Sequence, residues 1–398
     1  MKNTHLEHLE DNILNDGSQG GKEAVAFLRS LGKMLDQGAA DARVTVKWDG
    51  APAVICGTNP ENGQFFVGTK SVFNKTNPKI IYSENDVDNL YPPGQLAEKL
   101  KSSYRYLSTL SIPNIVQGDL LFTDDKYEAD IGGETCIAFQ PNTIVYAVPK
   151  DSTIGQRIEV AKLGIVFHTQ YNGRTMDSLS ASFGDINIQG TSDVFVTSSD
   201  FQNASGEANM TQAEKTTYAN LVNKTEGSLK QASRFLDLMK TNDMNKFTLN
   251  IMFKTFFNRY VREGRSLIGA RATAGDFATY FSNALDKEID SKKMKSTKDK
   301  YLELKNKGLK FINDNQQAIY MTVASYMNLQ AAKNFMIRKL QQVNTFGTFL
   351  RTPDGYRVTA PEGFVAIRSG RALKLVDRLE FSRANFTADK NWEKGNPM

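Results

Sequence analysis

Cysteine and histidine are scarce in this chain. Cys56, Cys136, His5, His8 and His168 are the whole supply over 398 residues. Two cysteines cannot build a disulfide framework, and so few thiols and imidazoles make no zinc-ribbon pattern. Both cysteines sit in apolar, strand-like runs, which predicts buried free thiols in a reducing compartment. No apolar run approaches the roughly 20 residues that cross a bilayer, so no membrane partner is expected. The first 20 residues are polar and acidic, with no secretory signal. What remains, 40% apolar and 23% charged residues, suits a soluble globular protein with room for more than one domain. Collagen-like and disordered classes are excluded.

Proline is absent from residues 211–343, and charge is unevenly spread. Residues 1–210 hold 17 Lys+Arg against 26 Asp+Glu, whereas 211–340 hold 23 against 12. An acidic half followed by a basic middle implies two jobs on one chain, the basic part attracting a polyanion. The proline-free stretch shows helical periodicity, predicting helices near 211–240, 245–262, 274–290, 295–328 and 330–342. Before it, apolar residues of 22–37 fall on one helical face. Strand-like runs follow at 43–48, 53–56, 65–68, 115–122, 135–139, 143–148, 164–168 and 193–197, with a hairpin through Asn62-Gly63. The strand pattern returns at 346–351, 356–360, 363–367 and 372–376. The expected fold class is α+β with mainly antiparallel sheets plus an inserted all-helical domain. Residues 1–205 and 345–398 make one domain from both ends, and 206–344 the insert. The run 4–11 is expected to be an N-terminal helix rather than a metal site.

Four short motifs carry chemistry. Lys47-Trp48-Asp49-Gly50 ends a strand at a turn, a place that presents an amine to a pocket floor. Neighbouring cations there would lower its pKa and free a nucleophile. Gly118-Asp119-Leu120 puts an acid inside an apolar strand, which is costly unless the acid is paired or binds metal. Glu362-Gly363-Phe364-Val365 opens another strand with an acid. Lys374 points away from the face of Leu373 and Leu375.

In this order the motifs resemble the covalent nucleotidyltransferase superfamily of ATP-dependent DNA ligases, RNA ligases and capping enzymes. The resemblance covers about 40–200 and 345–380, not the helical insert. It implies a ligase-type adenylation domain in which Lys47 becomes adenylated. Val46, Trp48, Asp49 and Gly50 would line the nucleotide, and Lys70, after the hairpin, would add a basic contact. Gly118 and Asp119 match the third motif. Tyr146 would stack on the base, with Phe139 and Phe167 as competitors. Glu362 matches the fourth motif and Lys374 one phosphate-gripping lysine of the fifth. The second such lysine is replaced by Val376, so Arg371 or Arg378 is expected to compensate, and Pro52 stands where an Arg or Asn is usual. A two-residue turn at Ser369-Gly370 would set Lys374 opposite Val365, away from Glu362, unless a bulge near Gly363 intervenes. Too few residues follow Lys374 for the C-terminal OB domain of DNA ligases and capping enzymes. The chain is therefore most similar to phage-type RNA ligases, and also looks like uncharacterised proteins of large phages.

The resemblance implies a monomeric enzyme of the cytoplasm, or host cytoplasm if phage-encoded. It would use ATP with Mg²⁺ or Mn²⁺ at Asp119 and Glu362 and seal 5′-phosphate to 3′-hydroxyl ends, of RNA in preference to DNA. Two alternatives stay open. One is a ligase-like nucleic-acid binder with impaired catalysis, and the other is AMP transfer to a different acceptor. In the basic insert, Arg259, Arg262, Arg265, Arg271, Lys292, Lys293, Lys295, Lys298 and Lys300 are the expected phosphate contacts.

Overall fold

The computed structural model describes residues 6–37, 42–183, 186–199, 208–239, 247–342, 346–353, 355–359, 362–369 and 371–379. The first half runs β1 (Glu7–His8), α1 (Asn12–Gln37), β2 (Ala42–Lys47), β3 (Ala53–Thr58), β4 (Phe65–Gly68), α2 (Glu84–Leu90) and α3 (Gln95–Leu107). It continues through β5 (Ile115–Phe122), β6 (Tyr127–Ile131), β7 (Glu134–Phe139), β8 (Val145–Pro149), α4 (Thr153–Val160), β9 (Leu163–Asn172), β10 (Ser180–Ser182) and β11 (Val194–Ser198). Then come α5 (Gln212–Leu238), α6 (Leu249–Arg262), α7 (Ala270–Asp290), α8 (Lys295–Asp314) and α9 (Gln316–Leu340). The chain returns to strand in β12 (Gly347–Thr352), β13 (Gly355–Val358), β14 (Gly363–Arg368) and β15 (Arg371–Leu375). The fold is α+β, its sheets mainly antiparallel, as expected from the alternation. Among the described residues no helix is long and apolar enough to cross a membrane.

Three sheets form. One has the order β1-β15-β14-β2, a second β10-β9-β5-β3-β4 with β11 on β9, and a third β13-β12-β8-β7-β6. The C-terminal strands thus pair with N-terminal ones in two sheets: β14 lies against β2, and β12 against β8. In the first sheet the period of two decides the layers. Val44, Phe364, Ala366, Leu373 and Leu375 face one way and join a core that runs through α1 and α5 to α9. The helical segment therefore shares its core with α1 and this sheet. Thr45, Lys47, Val365 and Lys374 occupy the opposite face.

Four local expectations are revised. Residues 4–11 do not form a helix where described: Glu7–His8 is a strand parallel to β15, and Leu9–Asp11 a 3-10 turn. Helix α1 starts ten residues before residue 22, with a non-helical break at Gly17. Helix α7 begins at Ala270 rather than 274. The helix expected over 295–328 ends at Asp314, and α9 runs unbroken past 329. Asn315 leaves helical geometry (φ −122°, ψ 24°), and its side chain donates to Phe311 O at 2.8 Å. Such local side-chain bonds compete with the helix ladder.

Candidate active site

Lys47 is the last residue of β2, and its neighbours lock the corner that follows. Trp48 turns into an apolar cluster, 4.9 Å from Tyr146 and 5.0 Å from Phe346 between ring centroids. Asp49 accepts hydrogen bonds from Asn142 Nδ2 (2.8 Å), Thr143 N (2.7 Å) and Ile144 N (2.9 Å). Its own N–H donates to Tyr146 Oη at 2.8 Å. Gly50 must be glycine, because a Cβ there would meet Asp119 Cβ at 2.5 Å. Ala51 N donates to Leu120 O (3.0 Å) and Leu120 N to Pro52 O (3.1 Å). The motif is thereby pinned against β5, bringing Asp119 toward Lys47. Asp49→Ala should cost about 2–4 kcal/mol in urea unfolding, since it strips one buried and one part-buried backbone N–H group of their acceptor. An unchanged midpoint would refute that role.

Glu362 arrives from the other end of the chain. Gly363 is the register partner of Lys47, and Glu362 forms an ion pair with the Lys47 ammonium. The turn between β14 and β15 is the two-residue kind, pairing Arg368 with Arg371 and Val365 with Lys374. The register through Gly363 is regular, without the bulge expected there; Gly363 instead takes φ +147°, a torsion that favours glycine. A Cβ at Gly363 would also lie 2.4 Å from Leu375 O. Lys47 and Lys374 thus share one face of the sheet, with Glu362 reaching Lys47 from the end of β14.

A cleft opens between this face and the second sheet. It is lined by Thr45, Lys47, Trp48, Asp119, His168 and Phe183 among others, and its empty space, counted out to its solvent mouth, is about 490 Å³. His168 is a residue that strand periodicity could not nominate. The β5–β9 register slips from Gln117↔Thr169 to Gly118↔Phe167, leaving His168 as the extra residue of a bulge. Its Nδ1 lies 2.8 Å from Thr169 Oγ1, and its Nε2 is 3.5 Å from Asp119 Oδ1. Phe183 follows a three-residue strand and had no pattern to mark it.

Charge in the cleft runs against the expectation for Lys47. Burial pushes its pKa down, but the carboxylates of Glu362, Asp119 and Asp49 outweigh burial and leave it raised. Glu362 is itself raised, chiefly by burial. Lys374 is lowered by burial and by the Lys47 charge, with Lys70 adding to the effect.

Several expected roles are corrected. Tyr146 is 2% exposed, stacks on Phe139 and braces the Asp49 corner, so it is not free to stack on a base. Phe139 and Phe167 are core residues too, and Phe183 is the half-buried aromatic of the cleft. Asp49 is committed to the 142–144 loop. Arg371 pairs with Asp16 and Glu23, and Arg378 is buried against Asp11 and Tyr326, so neither compensates for Val376. Val46 lines the cleft and is tied by its N–H to Ser199 O, while Lys70 is exposed at the start of a 3-10 turn. Gly118 packs under Phe167, where a Cβ would lie 2.6 Å from Val166 O. Among the described residues no three His, Cys, Asp or Glu side chains form a metal-holding group. Two carboxylates, Asp119 and Glu362, still suit a hard cation that takes its remaining ligands from phosphate oxygens and water.

The helical cations divide. Arg259 lies over the rings of Phe256, Tyr260 and Tyr280 at 5.1–5.3 Å with its Nε buried, while its side chain stays 36% exposed beside Glu263 (3.8 Å). Arg265 pairs with Glu263 (3.0 Å), Lys292 with Glu288 (2.6 Å), and Arg271 covers Tyr320. Arg262 is exposed and Lys298 half-buried. Lys293, Lys295 and Lys300 are exposed around the α7–α8 junction.

A family match covers residues 3–390, nearly the whole chain. The chain belongs to DUF6267, a family of unknown function. No curated protein and no solved structure matches this DUF6267 chain. The cleft-lining residues, from Leu6 to Ile367, all fall inside the matched span.

Proposed function

We propose that this chain is an ATP-dependent polynucleotide ligase, acting on RNA in preference to DNA, that works through a covalent lysyl-AMP. The observation that carries this reading is that Lys47 and Asp119 line one cleft, with Glu362 paired to Lys47 and Lys374 on the same sheet face as Lys47, all drawn from three distant segments. The Lys47 amine attacks the α-phosphorus of ATP. An N–P bond forms as the bond to the bridging oxygen breaks, and pyrophosphate leaves with the electron pair. Lys47 keeps 24% side-chain exposure, which lets the proton it gives up pass to water. Asp119 and Glu362 would hold Mg²⁺ or Mn²⁺, which when bound neutralises charge on the transferring phosphate. AMP then passes to a 5′-phosphate, and a 3′-hydroxyl displaces it. Incubation with α-labelled ATP and Mg²⁺, then a denaturing gel, tests the reading. Label retained on the protein supports it. Nucleic-acid binding without label would instead favour an inactive binder, and label moved only to another acceptor would favour an AMP transferase.

The polyanion would be held by the exposed lysines beside the α7–α8 junction, because the remainder of the chain is acidic. Changing Lys293, Lys295 and Lys300 together to Glu should weaken binding to a labelled RNA. It should also lower the slope of log affinity against log salt by about 2–3, as three phosphate contacts are lost. An unchanged slope would remove these lysines from the interface.

A further inference from the structure

His8 stands in the nucleotide cleft's sheet without a role in the reading above. It is the register partner of Lys374 in the parallel β1–β15 pair, and Lys374 is the partner of Val365, which in turn pairs with Thr45. Partners across a sheet share a face. His8, Lys374, Val365 and Thr45 therefore form one row on the cleft side, and Leu6, two residues earlier, lines the cleft. His8 Nδ1 is buried with no hydrogen-bond partner among the described residues. Such an atom costs stability unless something fills the gap.

The surrounding charge says what would fill it. Four cations bear on His8: Arg378, Lys333, Lys374 and Lys47. Three are matched by carboxylates, Arg378 by Asp11, Lys333 by Glu10 and Lys47 by Glu362. Lys374 makes no ion pair among the described residues. Burial, and then these cations, push the His8 pKa well down, so at neutral pH the ring is uncharged and carries a single N–H. An uncharged N–H donor beside an unmatched ammonium suits a phosphate oxygen. The position is also held firmly. Strand β1 has two residues, and Glu10 and Asp11, two and three residues after His8, are buried and tied to Lys333 of α9 (2.7 Å) and to Arg378 (2.9 Å).

We propose that His8 and Lys374 form an oligophosphate-binding pair beside this cleft, on the same sheet face as Lys47, with His8 donating from Nδ1 to a phosphate oxygen. The proposal rests on the adenylation reading and names a binding residue contributed by the N-terminal segment. The test is calorimetric titration of full-length protein with inorganic pyrophosphate, together with the ATP dependence of lysyl-AMP formation. His8→Leu removes the donor, and His8→Asn places an amide N–H where Nδ1 stands. Leu should weaken pyrophosphate binding about tenfold to hundredfold and raise the KM for ATP with kcat little changed. Asn should keep most of the affinity. If His8→Leu binds like wild type while wild type is labelled by ATP, this proposal falls and the ligase reading stands. Wild type that neither binds pyrophosphate nor becomes labelled overturns both. Should the Leu protein not fold, Asn against wild type decides: affinity lost in a protein with wild-type melting overturns the Nδ1 donor.

Discussion

Lys47→Arg is expected to abolish covalent labelling by ATP while leaving the protein folded. Arginine keeps a positive charge for Glu362, which is 8% exposed and would otherwise sit buried without its partner. A guanidinium stays protonated at any working pH and offers no nucleophilic lone pair. The substitution thus separates the covalent step from the ion pair. Lys47→Ala should lose the label too, but should also lose stability, because the Glu362 carboxylate is stranded. The same pair sets the pH behaviour of the wild type. With the Lys47 pKa raised by its carboxylate neighbours, little neutral amine exists near pH 7. Raising the pH increases the neutral fraction, so the labelling rate should climb with pH from neutrality up to the folded-state pKa. Label of wild-type intensity on the Arg variant would place the adduct on another residue and end the assignment of Lys47.

The second large effect is on stability. Lys333 is 1% exposed and Glu10 fully buried, with Nζ 2.7 and 2.9 Å from the two carboxylate oxygens. Removing the ammonium alone by Lys333→Met leaves a carboxylate inside the helical core. That should cost about 3–5 kcal/mol, the usual loss when one partner of a buried pair is removed. Glu10→Leu combined with Lys333→Met replaces both charges by apolar groups and should recover most of that loss. Urea unfolding followed by circular dichroism reads all three proteins. A Lys333→Met midpoint equal to wild type would show that this pair carries no such weight. A double variant no better than the single one would show that packing, and not the stranded charge, sets the cost.

These two pairs also mark how far the sequence could be read. The strand ending at Lys47 was legible because Val44 and Val46 alternate with Thr45 and Lys47. The acid opening β14 was legible because it stands beside a glycine. The long helical run was visible from its periodicity and lack of proline. Its internal break was misplaced, because an Asn–backbone hydrogen bond at residue 315 leaves no mark in hydrophobic spacing. The roles of Tyr146 and Arg378 were misjudged for a related reason. Each is polar enough to bind a ligand, but each is occupied by residues that nothing in its own neighbourhood announces.

Composition, alternation and helical period come from contacts a few residues apart. From them the sequence by itself determined an α+β chain with antiparallel strands, a basic helical stretch and a lysine at a strand end. Lys47 and Glu362 are 315 positions apart, and Lys333 and Glu10 are 323. Only the tertiary structure decided those pairings. It also set His8 beside Lys374 and bulged His168 toward Asp119. Register between strands from opposite ends of the chain is settled by the apolar face they bury together, and the polar face is carried into place by that choice.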